Sequence, residues 1–253
     1  MCGRMTLTRS AEEIARCFAL EAAAIAAGPD GRGLAPRYNL APSARVLTVV
    51  RDASGARRAV WKLWGLVPAW SKDPAVGAKR FNARAETVAT KPSFRGAFRR
   101  HRCLVVADGF YEWTPRARGH RAYWLHPPDG GLLAFAGLHE RWQGEGRDPL
   151  ETCTVITTEA GPDLAELHHR MPVLLSREAG EAWLDPAQTP DGLQALLAPS
   201  PAGTLTARPV SPWVNDPRHD DPGCLDPPRA LPLALSLAAP RRADPPDDEP
   251  GAR

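Results

Sequence analysis

Short apolar runs punctuated by glycine and proline dominate the chain. RVLTVV at 45–50, RAVWKLW at 58–64, CLVVADGFYEW at 103–113, AYWLH at 122–126, GLLAFAGL at 131–138 and TCTVITTEA at 152–160 have the length and the β-branched and aromatic content of strands. Helical spacing is rarer. Ser10 is placed to cap AEEIARCFAL, with Ile14, Cys17 and Phe18 on one face. KPSFRGAFRR with a proline near its start, SREAGEAWL behind a serine cap and TPDGLQALL complete the helical set. Residues 21–35, EAAAIAAGPDGRGLA, read as a helix end running into a Gly-rich loop. Most links between strands are too short for helical crossovers, which favours antiparallel pairing. The pattern predicts an α+β fold. One domain, residues 1–231, is expected around a curved, mainly antiparallel mixed sheet with a barrel-like core and peripheral helices.

Composition adds limits to this picture. The chain has 253 residues, 43% apolar and 24% charged, which suits one folded body. Residues 232–253 are proline-rich and lack aromatic residues, so a disordered tail is expected there. No run approaches the ~18 apolar residues of a membrane span, and no secretory h-region is present, so no membrane partner is expected. The cysteines at 2, 17, 103, 153 and 224 are few and odd in number. That argues against a disulfide framework and for a reducing, cytoplasmic setting.

Charge changes the picture locally. The formal net charge is only +3, but residues 79–103 carry Lys79, Arg80, Arg84, Lys91, Arg95, Arg99, Arg100 and Arg102 against the single acid Glu86, eight minus one giving +7. Such a segment suits a polyanion partner; a solvated basic helix face is the bland alternative.

Four clusters carry chemistry. In MCGR, removal of Met1 would give Cys2 an α-amine beside its thiol, a 1,2-aminothiol able to form an imine with an aldehyde and then close a thiazolidine. Gly3 would permit close approach and Arg4 could meet an anion; accidental placement of a cysteine is the alternative. In FNARAET, Asn82 offers both donor and acceptor, and Arg84 falls on the same side of an extended chain; a capping Asn with a surface Arg is the alternative. In GFYEW, Glu112 lies between Tyr111 and Trp113, where apolar surroundings would raise its pKa toward the range of a general acid–base, unless it simply faces solvent. In LHHRMPVLL, His168 or His169 could supply a proton beside Arg170, although a packed His168 and an exposed His169 need no function. Adjacent histidines on a helix or strand point apart, and no HExxH or CxxC spacing occurs, so no metal or other cofactor is expected. Trp64, Trp70 and Trp113 could act as platforms for unpaired bases, or be ordinary core residues.

These blocks, taken in order, resemble the SOS response-associated peptidase family: MCGR, RYNLAPS (37–43), WGLVPAW (64–70), FNARAET (81–87), KPSFRGAFRRHRCLVVADGFYEW (91–113), FAGLHERW (135–142), TVITTEA (154–160), LHHRMPVLL (167–175) and PVSPWVND (209–216). The resemblance spans about residues 1–230 and implies an abasic-site processing protein that crosslinks to single-stranded DNA. It implies that Cys2, freed of Met1 by self-processing, joins the ring-opened aldehyde as a thiazolidine. It further implies that Asn82 orients the amine and sugar, Glu112 shuttles protons during formation and reversal, and His168 rather than His169 assists ring opening. Arg4 and Arg84 match phosphate-contacting positions, and Pro42, Trp70 and Thr157 match further groove positions; Trp113 joins them as an aromatic platform. A monomer that is cytoplasmic, and nucleoid-associated when on DNA, is expected. Two rivals stay open: a glutamine amidotransferase-type hydrolase, which also begins Met-Cys-Gly but needs an Asn-Gly oxyanion pair this chain lacks, and a noncatalytic single-strand-binding module.

Overall fold

The computed structural model describes residues 2–31, 33–115 and 120–228. Its strands are β1 (Met5–Leu7), β2 (Arg37–Leu40), β3 (Arg45–Arg51), β4 (Arg57–Trp64), β5 (Asn82–Arg84), β6 (Arg102–Ala107), β7 (Gly109–Pro115), β8 (His120–His126), β9 (Leu133–Trp142), β10 (Leu150–Glu159), β11 (Arg170–Pro172) and β12 (Thr206–Pro209). The helices are α1 (Ala11–Phe18), α2 (Ala22–Ala26), α3 (Arg95–Arg100), α4 (Arg177–Leu184) and α5 (Pro190–Ala195). The expected α+β class and barrel-like core are what forms. The expected tail, 232–253, lies outside the described residues.

Five strands close a mixed barrel in the order β10-β4-β3-β6-β9 and back to β10. Only the β10–β4 pair of that ring is parallel. A second, antiparallel sheet runs β12-β8-β7-β1-β2. Phe110 of β7 meets Phe135 of β9 edge-on at 5.8 Å, joining sheet to barrel. Trp64, Phe98, Phe110, Phe135 and Trp183 are all buried, each contributing roughly 1.5–3 kcal/mol of apolar transfer.

The single run expected over 103–113 is in fact two strands in two sheets. The break is Asp108, whose carboxylate accepts from the Thr6 and Thr8 hydroxyls and from the Thr8 N–H at 2.7 Å. A buried carboxylate needs such donors, and satisfying them turns the chain from barrel to sheet. At Gly109 a side chain would overlap the Trp124 indole, so the turn admits none.

Helix α1 starts at Ser10 in a reciprocal capping box with Glu13. Its buried stripe is Ala11, Ile14, Ala15 and Phe18; Cys17, expected on that face, is exposed because it falls off the edge of an i, i+3, i+4, i+7 pattern. Helix α3 is shorter than expected. Pro92 disfavours helical backbone at Lys91, and residues 91–94 form a turn closed by Phe94 N–H to the Lys91 carbonyl at 2.9 Å. Among the described residues, no helix is long and apolar enough to cross a membrane.

An exchange of partners along β10 brings distant segments together. β9 accompanies β10 as far as Val155, and β11 then takes its place beside Thr157, Thr158 and Glu159. On the opposite edge β4 gives way to β5, which pairs in parallel with Val155, Ile156 and Thr157. The end of β10 is therefore flanked by the FNARAET and LHHRMP segments, which are far apart in sequence.

Candidate active site

Residues 2–4 extend β1 alongside β7: Tyr111 N–H donates to the Arg4 carbonyl at 3.0 Å, one register step beyond Met5↔Phe110. This brings Cys2 to the end of β5, where Asn82 Nδ2 donates to the Cys2 carbonyl at 2.7 Å. Among the described residues Asn82 Oδ1 is buried with no hydrogen-bond partner, an acceptor able to take a donor. Cys2 is fully buried. Burial, reinforced by the charge of Glu112, pushes its thiol far above the ordinary range, so sulfur is held protonated.

Glu112 is 3% exposed, which rules out the solvent-facing alternative. β7 lies between β1 and β8, so both its edges are paired. Burial pushes the Glu112 carboxyl up to about 7. His168 sits in the turn before β11, half-buried, its Nδ1 2.9 Å from the Arg170 nitrogen and 3.0 Å from the Arg170 carbonyl oxygen. Burial lowers its pKa from the ordinary value. Because this turn is neither helix nor strand, His168 and His169 do not point apart as expected; their rings stack at 4.4 Å. The charge of Glu112 acts on the Cys2 thiol, Asn82 holds the Cys2 carbonyl, and the strand that follows His168 pairs with the end of β10 opposite β5. The four residues expected to carry chemistry thus share one locality.

An open cleft of about 620 Å³ adjoins it, lined by Gly3, Arg4, Trp113, His120 and Asn215. The Arg4 guanidinium donates to Asn39 Oδ1 and the Val214 carbonyl, both at 2.8 Å, and lies 5.7 Å from the Trp113 ring centroid. Trp113 Nε1 donates to Asn215 Oδ1 at 2.8 Å. Asn39 is itself pinned by its side-chain amide to the His219 carbonyl at 2.7 Å. Sequence reasoning did not single out Asn39 or Asn215, although both fall within blocks that carry the resemblance, RYNLAPS and PVSPWVND.

The remaining expected contacts divide. Arg84 is exposed and, as the two-residue spacing implied, shares a face of β5 with Asn82 while Ala83 between them is buried. Trp70 is 65% exposed. Pro42 is half-buried in the turn before β3, next to Ser43 in left-handed backbone. Thr157 departs from the expected groove position. It is fully buried, its hydroxyl turned to the Ala83 carbonyl at 3.4 Å, and offers no surface to a ligand. Trp64 is likewise core, with Nε1 donating to the Phe81 carbonyl at 2.8 Å. Arg102, counted in the basic segment, is buried against backbone carbonyls. Among the described residues no group of three or more His, Cys, Asp and Glu is arranged to hold a metal ion.

The chain presents a mixed barrel with a buried Cys2 whose carbonyl is held by the Asn82 amide, near a buried Glu112 carboxyl that burial pushes up to about 7. The chain belongs to the SOS response associated peptidase (SRAP) family, whose profile matches residues 1–217. It is 40% identical over 230 residues to the abasic site processing protein YoqW of Bacillus subtilis, covering 89% of this chain and 99% of that one. It is 36% identical over 223 residues to the chicken abasic site processing protein HMCES, covering 76% of this chain and 66% of that one. A crystal structure of a Bacteroides thetaiotaomicron protein shares the fold, with a TM-score of 0.79 at 24% identity over 91% of this chain and all of the other.

Proposed function

We propose that this protein captures abasic sites in single-stranded DNA as a covalent thiazolidine on Cys2, after Met1 is removed, and so shields the lesion. The observation that carries the reading is the contact of Asn82 with the Cys2 carbonyl at 2.7 Å beside a buried Glu112 that titrates at about 7. The names of the similar proteins in Bacillus and chicken support the same substrate.

The chemistry is built from those groups. An abasic sugar is mostly a closed hemiacetal, so a proton must reach its ring oxygen and another must leave its hydroxyl. His168 and Glu112 are the proton-transfer groups for this opening. Excision of Met1, here by the chain itself, turns the Cys2 nitrogen into an α-amine, a donor for the unpaired Asn82 Oδ1. The amine adds to the aldehyde carbon, and the protonated Glu112 carboxyl gives its proton to the departing hydroxyl, so that loss of water leaves an iminium. The Cys2 sulfur then bonds to that carbon while its proton passes to the Glu112 carboxylate. The balance is aldehyde plus aminothiol giving thiazolidine plus water, and Glu112 run in reverse releases the DNA. The cleft beside Gly3 and Arg4 gives the strand its approach, and Arg84 continues the cationic path. An unpaired strand avoids the cost of extracting the sugar from a duplex. The protein acts as a monomer.

The test is denaturing electrophoresis with a single-stranded oligonucleotide bearing one abasic site. Wild type gives a denaturation-resistant band, Cys2→Ala gives none, and intact mass shows wild type without Met1. Equal crosslinking by Cys2→Ala sinks the thiazolidine, and the lack of a covalent band with any variant leaves only a binding module.

A further inference from the structure

His168 has no strand or helix to fix its ring, so its orientation must come from elsewhere. Arg170 supplies it. Both backbone groups of Arg170 lie within hydrogen-bond reach of His168 Nδ1: the N–H at 2.9 Å and the carbonyl at 3.0 Å. Nδ1 therefore has a partner in either protonation state, and the ring need not turn when it gains or loses a proton. Arg170 is itself held. It is 8% exposed, and its guanidinium grips both carboxylate oxygens of Glu86, at 2.5 and 3.0 Å. The same guanidinium donates to the Thr157 carbonyl at 2.6 Å, an oxygen that also accepts from Ala85 N–H at 2.8 Å. Glu86 stands two residues past Arg84, and Thr157 pairs with Arg84 across β5 and β10. One planar fork thus binds β5, β10 and β11 together at the site.

We infer that Glu86 and Arg170 are positioning residues: their bidentate pair sets the Arg170 backbone against which His168 Nδ1 docks, and so orients the imidazole for proton exchange with the sugar. The second half of this statement rests on the proposed abasic-site capture; the docking of His168 does not. Thr157 finds its place here too, as the carbonyl anchor of the fork.

The experiment uses the full chain and two readouts. The first is the imidazole proton resonances of His168 without DNA, shifted by the ring of the stacked His169. In Glu86→Ala they move toward the positions of an unstacked histidine, in Glu86→Gln, which keeps a hydrogen bond to Arg170, they move less, and in the surface control Glu166→Ala they stay. The second is the single-turnover crosslinking rate at saturating abasic-site DNA. Glu86→Ala slows wild type by roughly tenfold to a hundredfold with little change in half-saturating DNA, yet does not slow His168→Gln further. Unmoved His168 resonances in Glu86→Ala overturn the inference. So does an equal slowing of wild type and His168→Gln, which would place the pair's action elsewhere. If wild type forms no crosslink, abasic-site capture falls, and the resonances alone decide the positioning.

Discussion

Glu112 is buried at 3% exposure inside the second sheet, and an ionised carboxylate there is costly. Unfolded, it titrates at its ordinary 4.5; folded, burial moves it to about 7. Between those values the native chain keeps a proton that the unfolded chain has released. Stability therefore falls as pH rises through that window and levels off above it, by about 3 kcal/mol in all. Glu112→Gln removes the ionisation, so its stability gain over wild type should be small near pH 5 and approach about 3 kcal/mol near pH 8, measured by urea unfolding at both values. A gain independent of pH would mean an ordinary carboxyl. The same substitution should remove an inflection near 7 from the pH profile of crosslinking. Residue identity was readable here and residue environment was not. Cys2, Asn82, Glu112 and His168 are recognisable in the string, but alternation alone leaves Glu112 free to face water. What buries it is the packing of that face of β7 on the barrel, where Phe110, two residues before Glu112, meets Phe135.

At the scale of elements, the basic segment divides by what each cation touches. Arg102 opens β6 and donates to the carbonyls of Trp183 and Asp185 at the end of α4, both at 2.7 Å, and of Phe98 at the end of α3 at 3.1 Å. A cation closing two helix C-termini satisfies carbonyls that have no partner within their helices. Arg102→Ala should cost about 3 kcal/mol by leaving them buried and unpaired, and Arg102→Lys should recover only part, since a point charge cannot span the fork's contacts. Arg84→Ala, on an exposed position, should leave unfolding unchanged. Chemical denaturation of the three variants separates these outcomes. The sequence groups all eight cations as one field because composition carries no direction. Arg102 faces inward, and Arg80 is tied to the Val76 carbonyl at 2.8 Å. In the same way the CLVVADGFYEW run gave no sign of two strands, because the break depends on Thr6 and Thr8, a hundred residues earlier in the chain.

For the whole molecule, closure of the barrel depends on the one parallel contact between β4 and β10, whose partners lie too far apart for short-link reasoning to foresee. That contact also hands β10 on to β5, so the pairing that completes the barrel sets Asn82 against Cys2, with Arg84 two residues further along the same face of β5. The cationic path is then a property of the assembled surface and not of the +7 segment. Arg84 is exposed at the site, whereas Arg102 sits inside the protein. Binding to single-stranded DNA releases counterions in proportion to phosphates neutralised, lowering log K by about 0.7 per phosphate for each unit of log salt. Arg84→Ala should therefore weaken binding of an undamaged strand and reduce that slope by about 0.7. Arg102→Lys, however destabilised, should leave the slope unaltered under conditions where it is folded. Fluorescence anisotropy across about 50–200 mM salt gives both numbers. An unchanged slope in Arg84→Ala would mean that Arg84 does not meet a phosphate, and the strand's path would have to run along Arg4 and Trp113 alone.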